Sequence, residues 1–526
     1  MRGGSPSPAA HLTMRVDLSP TGRGKEHAAM LFSSYTFLFQ FLPATALAFA
    51  AARRHSPRAG IMVLATASLF FYAAWKPVYL LVLVASIGVN FWLGLKMEDP
   101  LRRRSFGTLG VALNLALLCY FKYTNFIFDG LTTLTGMPLP FVNVVLPLGI
   151  SFFTFQQIAY LVDVMRGAKV ERDVVSYTLF VSFFPHLIAG PLVHHSEMIP
   201  QFKRGRSGRS SVLAARGLAI FAAGLFKKVV IADNLAQFVT PVFAHLDAGG
   251  GVTTEWAWLA TLAYTLQIYF DFSGYSDMAV GLALLFGIRL PVNFRSPYKA
   301  TSIIEFWRRW HITLSRFLRD YLYIPLGGNR FGEQRRYQNL LVTMLLGGLW
   351  HGAAWNFVIW GGLHGIYLCI NHLWRGWRGD YGQASMLAKG LCWAVTFFAV
   401  VIAWVFFRAK TAAGAWQMLG SLFGFEAGSS AYASPGILRV MDLPILVGEP
   451  SLLLIGGCAV ALALAIALSL PNVPQLFRYR EYRRAPEQGA FVRWRPNGAW
   501  ALFTALAFAL SLFGMWQRLE FLYFQF

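Results

Sequence analysis

The chain has 526 residues, of which 56% are hydrophobic, 16% aromatic and only 13% charged, with a mean hydropathy of +0.49. That leaves too little polar surface for a water-soluble domain and predicts an all-α integral membrane protein. The net charge of +22 is carried by short clusters of Lys and Arg between apolar runs, the pattern of cytoplasmic loops, so it points to a membrane surface and no nucleic acid.

Residues 1–29 are rich in Gly, Pro, Ser, Arg and His and contain no continuous apolar run, which excludes a secretory signal. They read as a disordered extension upstream of a true start at Met30, which directly precedes LFSSYTFLFQFLP. Residues 30–526 read as a single transmembrane domain.

Runs such as Ile61 to Trp75, Pro77 to Leu95, Leu391 to Phe407, Ser451 to Leu470 and Ala499 to Trp516 approach or reach the length needed to cross a bilayer, and about ten to twelve spans are expected. Arg53, Arg54 and Arg58 follow the first span, Lys96 and Arg102 to Arg104 the third, and Arg166, Lys169 and Arg172 the fifth. The turns between are nearly free of positive charge, so the first span starts outside. Cys119, Cys369, Cys392 and Cys458 lie in or beside apolar runs without paired spacing and suggest neither metal nor disulfide.

After Asp173 the alternation fails, because VVSYTLFVSFFPHLIAGPLV is flanked by basic residues on both sides and contains Pro185, Gly190 and Pro191. A re-entrant segment dipping from the cytoplasmic side is expected, buried in protein or lining a cavity. His186, His194 and His195 would border that cavity; adjacent histidines lack the i, i+4 spacing of a zinc pair, and no metal site is expected. Asp271, Ser273 and Asp277 are polar positions in an apolar run that either line a conduit or hold helices together.

The densest basic region follows Leu290. Ser302 and Glu305 make a capping box, and the helix it opens is expected to run to Pro325, Gly327 and Gly328. Trp307, His311, Leu314 and Leu318 fall on one stripe of it, which buries His311. Arg308 and Arg309 project elsewhere and are weak candidates for holding anionic lipid or a phosphate-bearing donor. The next run, LLVTMLLGGLWHGAAWNFVIWGGLHG, carries glycines expected to loosen its helices and to set His351 at a break in a hydrophobic hairpin. Small neighbours Gly352, Ala353 and Ala354 would leave room for substrate. An ionisable residue at such an address is a functional candidate by default, and imidazole suits proton transfer near neutrality. His364 and His372 are given mainly structural roles. Ala412 to Pro450 reads as an external loop, a partner dock or a plain connector.

The blocks PHLIAGPLVHHSEMIPQF, YFDFSGYSDMAVGLALLFGIRLPVNFRSPYKATSIIEFWRRWHITLSRFLRDYLYIPLGGNR and GGLWHGAAWNFVIWGGLHG resemble the signature blocks of the membrane-bound O-acyltransferase family, in its alginate O-acetylation branch. The resemblance runs from about Met30 to the end and implies a polytopic ring of tilted helices with re-entrant segments around a central acyl tunnel. It maps the family's essential histidine onto His351 and its companion onto His311. It also implies a place in the bacterial inner membrane, no permanently bound cofactor, and a cytoplasmic thioester donor, acetyl-coenzyme A or an acyl carrier. Periplasmic O-acetyltransferase partners would then modify an exported polysaccharide, alginate or a similar glycan.

Acyl transfer from a thioester to a hydroxyl needs a base for the hydroxyl proton and a donor for the oxyanion. His351 is assigned as the base, and His311 as the second polar group, orienting an oxygen or steadying the oxyanion. No GxSxG elbow is present, which argues against a serine acyl-enzyme. Two alternatives stay open on sequence: a transporter or channel without acyl chemistry, and a lipid O-acyltransferase.

Overall fold

The computed structural model describes residues 30–515 and 522, apart from 138, 141, 143–144, 204–210, 379–384, 426–431, 433–436, 441–442 and 480–492. The expected 1–29 extension lies outside these residues. Four helices are long and apolar enough to cross a bilayer, Pro77–Lys96, Arg103–Thr135, Met386–Arg408 and Glu449–Ser469, and the shorter Pro57–Ala73, Ile150–Met165 and Gly498–Gly514 are also apolar. The runs read from hydropathy coincide with these within a few residues. Pro57–Ala73 starts earlier than its apolar run because Pro57 sits in the first turn and the Ser56 hydroxyl accepts from the Ala59 amide at 3.0 Å, a local N-cap.

The core is built on Thr254–Leu285, which is buried on every face from Ala263 to Leu284. A helix apolar all round belongs in the middle of a structure. Ser211–Phe226 packs antiparallel on it through two glycine pairs, Gly217 with Gly281 and Gly224 with Gly274. A Cβ at any of the four would meet backbone oxygen across the interface at 2.6 to 2.8 Å. Small residues that let two backbones touch are the usual glue of membrane helices.

The same interface holds its polar residues in ion pairs. Lys228 reaches Asp233 at 2.6 Å and Asp271 at 2.7 Å, while Lys227 reaches Asp277 at 2.7 Å and Ser273 at 3.0 Å. Asp271, Ser273 and Asp277 therefore hold helices together, one of the two roles their sequence left open. Farther out, Asn90 and Asn114 exchange hydrogen bonds of 3.3 and 2.6 Å between two apolar helices.

Basic loops from distant parts of the chain meet on one face. Arg58 pairs with Asp173 at 3.3 Å, Arg172 with Glu98 at 2.6 Å, Lys203 with Glu171 at 2.7 Å and Arg316 with Glu197 at 2.7 Å. The Arg172 guanidinium beside Glu98 holds that carboxyl below the usual carboxylate range. Clusters that the charge rule places on one side are thus neighbours in space. The Glu171–Lys203 pair also brings together the two ends of the segment read as re-entrant. That segment forms the helix Val174–Ser182, breaks at Phe183, and continues through Phe184–Leu187 into a turn and irregular chain, with 179–193 buried throughout. Nine helical residues rise only about 14 Å, roughly half a hydrocarbon core.

Two expectations need correction. Ala412 to Pro450 is not all loop: it opens with the helix Ala412–Leu422, and Ile437–Val440 pairs antiparallel with Leu443–Leu446. That ribbon is the only sheet among the described residues and a small departure from an all-α chain. Nor is Ser302 to Pro325 one helix. The Ser302 hydroxyl does accept from the Glu305 amide at 3.2 Å, but Glu305 reaches back to the Thr301 amide, and the helix stops at Arg309.

Candidate active site

The helix Gly332–His351 runs straight through Gly347 and Gly348, and its neighbour Trp355–Arg378 runs straight through Gly361 and Gly362. Their glycines do not loosen these helices; they let them touch. A Cβ at Gly348 would stand well inside 3.0 Å of the Phe357 carbonyl oxygen, and one at Gly361 equally close to the Met344 carbonyl oxygen. Asn356 ties the tip of the hairpin to the end of Met386–Arg408 by donating to the Ala409 carbonyl at 2.7 Å.

His351 is the last residue of its helix, directly before an extended Gly352 (φ −159°, ψ 150°), so it does sit at a break. The residue is 6% exposed, and its ring lies 4.8 Å from Trp350, 5.1 Å from Trp360 and 5.1 Å from Phe407, centroid to centroid. The room expected beside Gly352 is occupied: a Cβ there would overlap the Phe357 ring.

His311 is reached from a different direction. The Ile303–Arg309 and Ile312–Leu318 helices are separated by Trp310 and His311, and His311 takes the left-handed conformation, φ 41° and ψ 53°. A non-glycine residue there is uncommon and persists where its surroundings over-determine it. Here the determinant is Asn293. Its carbonyl accepts from the Ile312 amide at 3.0 Å, and its Oδ1 accepts from the Thr313 amide and hydroxyl at 3.3 and 2.8 Å. A backbone amide can only donate, so the side chain is oriented with Oδ1 toward His311. Nδ1 of His311, 3.2 Å from that oxygen, therefore carries the proton, and the neutral ring keeps its lone pair on Nε2. The segment read as re-entrant joins the same network, since the Leu192 amide donates to the Thr313 hydroxyl at 2.9 Å. Although the helix carrying them is broken, Trp307, His311, Leu314 and Leu318 are all buried as their stripe predicted.

The two histidines meet over one indole. Trp350 lies 6.2 Å from His311 and 4.8 Å from His351, with Phe152 and Phe155 against it at 5.5 and 5.3 Å. Beyond Trp360, at 4.8 Å, is His364, fully buried between Trp307 and Phe306 and without a hydrogen-bond partner among the described residues. A ring with a structural role normally has one, so His364 belongs to the candidate site more than its sequence context suggested.

Arg309 is engaged locally, with Glu305 at 2.8 Å and the Arg295 carbonyl at 3.2 Å. Arg308 is exposed, and its charge converges with those of Arg336 and Arg375 on His372. His186 accepts from Gln156 at 3.0 Å in the core, and His194 and His195 share Asp163 at 3.9 and 3.6 Å. These three stand apart from His311 and His351. Asn293 and Lys122 escaped the sequence analysis. Lys122 carries a signal, a single ammonium within LALLCYFKYTNFIF; Asn293 carries none, because only the fold places its loop under His311.

A family model described as MBOAT, membrane-bound O-acyltransferase family, matches residues 107–410. The chain is 44% identical over 448 residues to a peptidoglycan O-acetyltransferase of Helicobacter pylori, covering 78% of this chain and 84% of that protein. It is 45% identical over 408 residues to the probable alginate O-acetylase AlgI of Azotobacter vinelandii, covering 75% and 78%. A teichoic acid D-alanyltransferase of Streptococcus thermophilus is 28% identical over 243 residues, covering 43% and 57%. Matched by that family model over more than half its length and by these relatives over most of theirs, the chain belongs to the membrane-bound O-acyltransferase family and is an O-acyltransferase.

Proposed function

We propose that this protein takes acetyl groups from a cytoplasmic thioester and passes them across the inner membrane for O-acetylation of an exported polysaccharide, alginate or a similar glycan. The observation that carries the reading is the convergence of His311 and His351, forty residues apart in sequence, on the single indole of Trp350. The relatives named for peptidoglycan and alginate support the glycan; the ring of spans around an acyl tunnel, implied by the family, is part of the same proposal.

In this reading His351 takes the proton from the acceptor hydroxyl as its oxygen attacks the thioester carbonyl, and returns it as the thiolate leaves. His311 is the second polar group, across the Trp350 indole from His351; its Nε2 lone pair accepts from a donor of the acyl arm, since the hydroxyl's one proton goes to His351. The Trp360 indole N–H, buried and without a partner among the described residues, supplies a donor to the developing oxyanion. Arg308, Arg336 and Arg375 offer the phosphate groups of coenzyme A or a carrier's prosthetic arm a basic landing surface. From Arg375 to Trp360 along one helix is roughly 22 Å at 1.5 Å per residue, a distance an extended pantetheine arm spans. His351 stands at the opposite end of its helix from Arg335 and Arg336, which suits a group entering at the basic face and leaving at the other. The aromatic packing around His351 favours a short acyl group over a long lipid chain. The family assignment leaves a transporter without acyl chemistry unsupported.

The test is the acetyl ester content of exported polymer in cells carrying His351→Ala, measured with the amount of folded protein in the membrane. Loss of acetyl at normal abundance is the expected result. Wild-type acetylation would remove His351 as the base.

A further inference from the structure

The helix Arg103–Thr135 turns most of its surface outward; its most apolar window is only 17% buried. Lys122 interrupts it. The side chain turns inward, and its Nζ donates to the carbonyl oxygen of Trp350 and, at 2.9 Å, to that of His351. The adjacent Tyr123 hydroxyl donates to the Leu349 carbonyl at 2.7 Å.

These are the last three carbonyls of Gly332–His351. The last four carbonyls of any helix lack an amide to accept from, and they carry the negative end of its dipole, equivalent to about half a charge. An ammonium with several donors, set against them, satisfies two acceptors and opposes the dipole at once. The same Nζ lies 5.9 Å from the Trp350 ring centroid, within cation–π range. Lys122 thus touches both residues of the site's centre through their backbone and one through its ring. Gly352 follows at once in extended conformation, so no further helical turn fixes the end of the helix from the other side.

We propose that Lys122 is a positioning residue for acyl transfer: with Tyr123 it clamps the final turn of Gly332–His351 and fixes where the His351 imidazole stands relative to Trp350. This rests on the reading of His351 as the proton-transferring group. Lys122 lies nineteen residues beyond Arg103 and His351 nineteen beyond Gly332, each roughly 28 Å along its helix. Both helices begin beside basic clusters, so the clamp closes at matching depth. A lysine there is costly in an apolar helix unless its charge is used, and a glycine cap alone would satisfy a helix end at less cost.

Lys122→Met removes the ammonium while keeping the length of the side chain, and Lys122→Arg keeps a cation with donors. The measurement is acetyl ester on exported polymer per unit of folded membrane protein, beside the melting temperature of each variant. Lys122→Met is expected to lower acetylation per folded protein by about 100-fold, the scale of loss for a reacting group misplaced by about 1 Å. Lys122→Arg is expected to restore most of it, and Tyr123→Phe to give a smaller loss. Wild-type acetylation per folded protein with Lys122→Met overturns the clamp, even where total protein falls, because Lys122 would then act on folding alone. His351→Ala, run in parallel, separates the two levels. If it keeps acetylation, the reading of His351 fails; if it abolishes acetylation while Lys122→Met does not, only the clamp fails.

Discussion

Adding one methyl group at Gly348 tests whether the contact between the two hairpin helices sets the site. A Cβ there faces the Phe357 carbonyl oxygen well inside 3.0 Å and Gly361 Cα at 3.1 Å; both neighbours are backbone and neither can rotate away. Carbon–oxygen contacts between packed helices settle near 3.3 to 3.6 Å, so Gly348→Ala has to part the helices by roughly 1 Å. Overpacking of this kind costs about 1–3 kcal/mol. His351 is three residues on, less than one turn, and is carried with the displaced backbone. A displacement of about 1 Å at a reacting group can cost about 100-fold in rate. The assay is acetyl ester per folded protein, with abundance and melting temperature measured alongside. Gly362→Ala is the control, since its Cβ would find only the Leu345 Cδ2 methyl at 3.5 Å, an ordinary contact, and it should behave as wild type. Normal acetylation and normal stability with Gly348→Ala would refute the argument that this close approach places His351.

Asn293→Ala removes the acceptor that holds His311 Nδ1 and both Thr313 donors. It should cost about 1–3 kcal/mol of stability for the buried groups left behind and lower acetylation per folded protein at least tenfold. A variant with lowered stability but unchanged acetylation would show that the tautomer and orientation of His311 are immaterial. Lys228→Met leaves Asp233 and Asp271 facing each other in the core; loss of one partner of a buried ion pair costs about 3–5 kcal/mol. Its abundance and melting temperature should fall sharply while the protein that does fold acetylates normally, so a specific loss of acetylation at full abundance would contradict a structural role.

Much of this molecule is legible in its sequence because the membrane restricts the choices. Apolar runs located the spanning helices within a few residues, and the positions of arginines and lysines identified loops that do pair with one another, as Arg58 with Asp173 and Lys203 with Glu171. Failure of charge alternation around Pro185 and Pro191 marked a segment whose helix breaks at Phe183 and whose two ends are joined by the Glu171–Lys203 pair. Local rules erred where tertiary contacts decide. Glycine weakens an isolated helix, yet at Gly348 and Gly361 the partner backbone fills the space a side chain would need. The stripe through Trp307, His311 and Leu314 predicted burial correctly but not the break at Trp310 and His311, because the strain there is offset by Asn293 from a loop with no periodic signal. His364 was set aside for lying near basic residues in sequence; in space it adjoins Trp360.

The arrangement also bears on a problem any acyl-transferring histidine faces, namely that water is a smaller and more abundant acceptor than a sugar hydroxyl. A base at a wet surface would hydrolyse the thioester. His351 is buried, walled by Trp350, Trp360 and Phe407 and backed by Phe357, which keeps bulk water from its ring, and exclusion of water strengthens each polar interaction inside. Burial has a cost, because an imidazole in an apolar wall has few ways to be held in place. His311 solves this through its ring, by Asn293. His351 is also placed through its backbone: by glycine contacts on one side of the helix, and by the Lys122 and Tyr123 donors at its end. Rigid placement through the main chain is what the proposed role asks of His351, since a group that takes and returns a proton must stand in one position for both steps.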